Sequence, residues 1–174
     1  ANMNLSSLVK DYAAYNLWAN QALVDWLKTK PSEALEREVA SSFSGIKQTL
    51  VHIWDTETWW LGVLQGLPPE ITYGRVFEGK PEEVFAGLVK LSAEFAAYVA
   101  TLSEAALQEI CPFSIPYVGD FARSRFEMIQ HCMNHSTYHR GQIITIGRNA
   151  GLTDAPMTDF MFYLLMAKQE SVAK

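Results

Sequence analysis

The three-to-four-residue recurrence of apolar side chains constrains this chain more than any other feature. From Asn4 to about Lys28, Leu5, Leu8, Tyr12, Tyr15, Ala19, Ala22, Leu23, Trp26 and Leu27 return at the spacing that gathers them on one helix face. Pro31-Ser32 then stops that helix. A second starts near Ser44, a plausible cap, and runs through Ile46, Leu50, Ile53, Trp54, Trp60, Leu61 and Leu64 to Gly66, where Pro68-Pro69 forbids continuation. Residues 70–80 read as a loop. Pro81 followed by Glu82-Glu83 opens a third helix, because proline at the first position and acids in the first turn suit a helix start. That helix reaches about Leu102.

Between Leu107 and Phe121 the pattern changes, with Pro112, Pro116 and Gly119 interrupting Ile110, Phe113, Ile115 and Val118, so a long connection with a short hairpin is expected. A fourth helix runs from Ser124 to about Gly151, and a short fifth follows Pro156, from Thr158 to Lys168. Four long helices joined by two lengthy linkers predict an all-α chain, a four-helix bundle with at least one crossover connection plus a short C-terminal helix.

The 174 residues, 49% hydrophobic, suit one domain with its own core, taken here as residues 3–170. A net charge of −5 with acids and bases interspersed provides no basic stripe for phosphates, which argues against nucleic-acid binding. Cys111 and Cys132 form no CxxC pair. No apolar run is read as approaching the ~20 residues of a membrane span, and no basic-then-apolar leader opens the chain. A cytoplasmic protein is expected.

All four histidines fall on the second and fourth helices, and His131, His135 and His139 are spaced four apart. Residues i and i+4 share a helix face with Cβ atoms roughly 5–6 Å apart, close enough for two imidazoles to hold one ion. A third ligand must come from another helix, and His52 is the one histidine elsewhere. His131/His135 is as good a chelating pair as His135/His139. A seam through Met128, Cys132, His135, His139 and Ile146 is more apolar than one through His131, Asn134 and Tyr138, which favours the later pair as the inward one. Cys132 as a ligand, and a bis-histidine haem site, stay open as minor readings.

Neighbouring residues are weighed the same way. Gln142 is a candidate partner for a ligand or a metal-bound water, or an ordinary polar helix position. Tyr138 and Arg140 read as structural, Arg140 pairing with an acid, while Gly141 suggests a close helix contact. Asn16, Trp18 and Asn20 read as lining or supporting one end of the bundle. Asp55, three residues after His52, is a better fourth ligand than Glu57. Trp54, Trp59 and Trp60 are too dense for one buried face, which suggests a pocket wall or a dimer surface.

The string Asn134-His-Ser-Thr-Tyr-His-Arg-Gly-Gln142, together with the histidine of Leu50-Val-His-Ile-Trp54, resembles the DinB family of helical metal-binding proteins. Tyr15-Asn-Leu-Trp-Ala-Asn20 is similar to that family's N-terminal motif, and Pro156-Met-Thr-Asp-Phe-Met-Phe-Tyr163 to its closing segment. The resemblance implies an up-down-down-up four-helix bundle and a divalent ion held by His52, His135 and His139, with His131 at the edge. Imidazole ligands suit zinc and nickel, with iron, cobalt and manganese also open.

Three neutral imidazoles leave an ion its full charge and free coordination positions, the pattern of catalytic zinc. Relatives in the wider superfamily are thiol-dependent transferases and isomerases, so the resemblance implies a metal-dependent enzyme of the small-thiol transferase type, or a hydrolase, acting on a small molecule. The alternative is a non-catalytic metal-binding or stress-response protein whose ion is structural. A third reading is an interaction module that forms homodimers through its aromatic faces.

Overall fold

The computed structural model describes residues 3–67, 70–72 and 74–168 of the chain. The fold is mostly helical. Its elements are α1 (Leu5–Leu27), α2 (Ser32–Glu36), α3 (Ile46–Leu64), α4 (Pro81–Thr101), α5 (Glu104–Gln108), β1 (Ile110–Ile115), β2 (Gly119–Ser124), α6 (Arg125–Asn149) and α7 (Phe160–Phe162). A wider π-turn over Tyr163–Ala167 follows α7.

Local chemistry sets the helix ends. Asn4 caps α1 by accepting from the Ser7 amide at 2.8 Å, and the Glu104 carboxylate accepts from the Leu5 and Ser6 amides at 3.2 and 2.9 Å. At the start of α6, Ser124 and Glu127 form a reciprocal capping box. The expected cap of α3 at Ser44 moves one residue: Gly45, at φ 152°, lies so close to the Arg37 carbonyl oxygen that a Cβ there would sit 2.5 Å away. The interrupted stretch after Leu107 folds as an antiparallel hairpin, with Ile110 opposite Ser124 and Ile115 opposite Gly119. The expected fifth helix is replaced by α7 and the π-turn, which lay Phe160 and Tyr163 against Tyr15 of α1. Periodicity also passes over α2 and α5, each 5 residues long and too short to show one.

α1 packs against α4 and α6, and α3 packs against the same two helices. Two apolar clusters fill the space between the four. In one, Val9 and Ala13 of α1 meet Trp60 and Leu64 of α3, Phe95 and Val99 of α4, and Met128 and Ile129 of α6. In the other, Leu23 and Leu27 meet Ile46 and Ile53, Val84 and Leu88, and Ile143 and Ile146. Trp59 and Trp60 are buried in the first cluster, and Trp54 is half-buried against Phe77.

α4 corrects one expectation. Its 21 residues hold an 18-residue window with a mean hydropathy of 1.3, long and apolar enough to cross a membrane by length and composition. A helix buried in a core meets the same criterion, and here Val84, Phe85, Leu88, Phe95 and Val99 are packed inside the protein.

Candidate metal centre

The i,i+4 spacing places His135 and His139 on successive turns of α6, and the packing of α3 on α6 brings His52 to meet them. Their Nε2 atoms converge: His52 to His135 at 2.9 Å and His139 to His135 at 3.1 Å. Two nitrogens each about 2.1 Å from one ion at a right angle would lie about 3.0 Å apart, so both edges can be spanned by a single cation. The three ligand atoms all fall within 4.8 Å of one another, and they are the one such cluster of histidine, cysteine or acidic side chains among the described residues.

Protonation makes the convergence informative. His139 Nδ1 lies 2.7 Å from Gln142 Oε1, an acceptor, so Nδ1 carries the proton and Nε2 presents its lone pair. Gln142 is itself held, its amide donating to Ser42 Oγ at 2.8 Å. The geometry leaves room for at most one proton along the two Nε2 contacts, so at least two lone pairs face a common point. Burial keeps the rings uncharged: desolvation, reinforced by His139, lowers His52 to about 4, and desolvation with its three histidine neighbours lowers His135 to about 3. His135 Nδ1 is buried with no hydrogen-bond partner among the described residues, so the protein fixes the tautomer at His139 and not at His135. These donors fit a divalent ion, with Gln142 orienting the ring from behind.

The surroundings differ from several expectations. His131 is exposed, one turn before His135, its ring 5.1 Å from Trp60 and 6.2 Å from His135. Cys132 is buried in the core, and burial pushes its thiol well above the usual range. Asp55 does not turn to the histidines, because Arg75 grips both its oxygens, at 2.8 and 2.7 Å. Phe43, from the loop before α3, stacks on His52 at 4.2 Å and 30°, an apolar wall that no periodic signal marks.

Glu57, ranked below Asp55 from spacing, is fully buried at the centre of a polar network touching all four long helices. Asn16 donates to it at 2.9 Å, Asn20 at 3.0 Å, Ser92 at 2.8 Å and Ser136 at 3.0 Å. Arg140, 2% exposed, donates to Asn16 and Asn20 at 2.7 and 2.9 Å and to Thr137 at 3.0 Å. The expected acid partner of Arg140 is therefore one asparagine removed. Asn16 and Asn20 sit between the two apolar clusters, at mid-length rather than at a bundle end. The expected close contact at Gly141 is absent, since a Cβ there would meet nothing within 4 Å. Tyr138 is exposed, its ring 5.0 Å from His139.

Fold and cluster together define a mostly helical protein with three histidines placed to hold a metal ion. The family model described as DinB family matches residues 3–171, and the chain belongs to the DinB family. It is 30% identical over 163 residues to Protein DinB of Bacillus subtilis (strain 168), covering 90% of this chain and 93% of that protein. The crystal structure of a DinB-like protein from Bacillus cereus ATCC 10987 shares the fold, with a TM-score of 0.64 at 22% identity over 83% of this chain and 91% of the other.

Proposed function

We propose that the chain is a divalent-metal protein whose ion is held by His52, His135 and His139, and that the centre serves a metal-dependent enzyme of the small-thiol transferase type acting on a small molecule. The observation that carries this reading is the convergence of three imidazole Nε2 atoms, His139 with its lone pair directed by Gln142. A bound ion would supply Lewis acidity and stabilise a thiolate or hydroxide at neutral pH. The chain's own part is to keep His52 and His135 uncharged by burial, to orient His139 through Gln142, and to close one side with Phe43. Exposed His131 stands one turn from His135, their rings 6.2 Å apart.

Behind the centre we infer an up-down-down-up bundle with residues 65–80 as the crossover. In support, the start of α1 shares its apolar cluster with the ends of α3 and α4 and the start of α6. We further take the chain to be a single domain in the cytoplasm.

The test is elemental analysis of purified protein and of the His52→Ala and His139→Ala variants, followed by assay with a panel of low-molecular-weight thiols and electrophiles. The proposal expects near-stoichiometric metal in the parent, loss of metal in both variants, and thiol-dependent turnover that disappears with the metal. Metal retained in the variants would overturn the ligand set. Metal without turnover, accompanied by a large fall in melting temperature on chelation, would favour a structural ion.

A further inference from the structure

α6 carries a second set of residues that the metal centre does not use. Each helical residue advances about 100°, so Thr137, Arg140, Gly141 and Ile144 face away from His135 and His139. On that side a cavity of about 850 Å³ lies between α1, α6 and the segment leading into α7. Leu8, Tyr12, Tyr15, Phe126, Ile129 and Phe160 give it a largely apolar and aromatic wall. That volume falls within the roughly 300–1,000 Å³ typical of small-molecule sites.

Two features of the wall are not explained by the protein's own packing. Gly141 sits inside α6, where glycine costs about 1 kcal/mol relative to alanine, yet it relieves no contact, because a Cβ there would meet nothing within 4 Å. What the missing side chain leaves is space along the cavity. Arg140 is the one cation among the lining residues and is 2% exposed. Its Nε has no hydrogen-bond partner, and no carboxylate forms an ion pair with it among the described residues. Buried Glu57, one asparagine removed, offsets part of the guanidinium's charge and the Tyr15 ring lies 5.4 Å from it, but the unspent Nε–H still calls for an acceptor, and an anionic one suits it best. Asp159, the lone acid of the lining, is exposed, whereas Arg140 is buried.

We propose that this cavity is a binding site, separate from the histidine cluster, for an aliphatic or aromatic monocarboxylate, its apolar body between α1 and α6 and its carboxylate directed to Arg140.

The experiment titrates full-length protein calorimetrically with hexanoate, decanoate and 4-phenylbutyrate, and with the neutral 4-phenylbutyramide as isostere. The proposal expects saturable one-to-one binding of at least one carboxylate, with 4-phenylbutyrate bound at least about tenfold more tightly than its amide, equivalent to about 1.4 kcal/mol. Gly141→Leu, which fills open space, should abolish binding while leaving metal content unchanged and the melting temperature no lower than the parent's. Ile144→Trp, which narrows the cavity from the next turn, should weaken it. His139→Ala separates this site from carboxylate ligation by an ion: binding that survives it supports the cavity, and binding lost with the metal overturns it. The proposal is also refuted by the absence of saturable binding across the series, by equal affinity for acid and amide, or by binding indifferent to Gly141→Leu.

Discussion

Replacing Arg140 by methionine tests whether the buried polar network holds the four helices in one arrangement. The substitution keeps much of the side-chain length but removes three hydrogen bonds, to Asn16 Oδ1, Asn20 Oδ1 and Thr137 Oγ1. The two asparagine oxygens are buried, and stranding a buried acceptor costs about 1–3 kcal/mol each. Glu57, fully buried, also loses its nearest cation, and breaking a buried charge arrangement costs about 3–5 kcal/mol in total. These terms overlap, so the expected loss is about 4 kcal/mol, or roughly 8–16 °C in melting temperature for a chain of this size. Urea unfolding followed by circular dichroism measures it. Glu57→Gln removes the charge that Arg140 balances, so the double variant should be more stable than the sum of the single losses by about 1–3 kcal/mol. A loss below about 1 kcal/mol for Arg140→Met, or additivity within about 0.5 kcal/mol, would refute the network's role.

Two glycines on different helices should respond with opposite sign. Gly87→Ala places a Cβ 2.2 Å from Trp54 Cζ2 and should cost about 1–3 kcal/mol, whereas Gly141→Ala should gain about 1 kcal/mol; equal signs in thermal unfolding would contradict the packing described. Asp55→Asn should leave metal content unchanged while costing about 1 kcal/mol or less through the ion pair to Arg75, and a loss of metal would return Asp55 to the ligand set. In metal-free protein, His52 and His135 take up protons only near pH 4 and 3, below the 6.5 of a free imidazole. Their contribution is therefore complete above pH 6.5 and falls as pH drops from 6.5 toward 4, because the unfolded chain binds up to two protons that the native chain refuses. The raised Glu57 carboxyl acts in the opposite direction, so the comparison is with the His52→Asn/His135→Asn variant, whose stability should decline less steeply. Parallel profiles would show that these rings titrate normally.

The helices were legible because each long one buries a stripe, and a stripe has a period. Ser124 marked the start of α6, where its side chain and that of Glu127 form the capping box. The spacing of His135 and His139 likewise fixed their common face. What periodicity does not carry is the rotation of one helix against another. Asp55 and Glu57 were therefore ranked by distance from His52 along one helix, while their surroundings are set by Arg75 from the segment between α3 and α4 and by side chains of α1, α4 and α6. Arg140 was read as pairing with an acid because a charge usually does; its actual partners are the Asn16 and Asn20 side-chain oxygens of a different helix. Phe43 escaped notice because a loop residue has no period.

The run from His139 to Gln142 has a consequence for how this sequence can change. Four consecutive residues serve the histidine cluster, the buried network, the open cavity and the back of the His139 ring, each about a quarter-turn from the last. A single residue inserted or deleted between His135 and Gln142 would turn every later side chain by about 100° and misdirect several assignments at once. The hairpin turn, whose Tyr117 stands clear of the protein, can lengthen without moving any of them. Length variation in such chains should thus gather at the hairpin, leaving the middle of α6 at constant length.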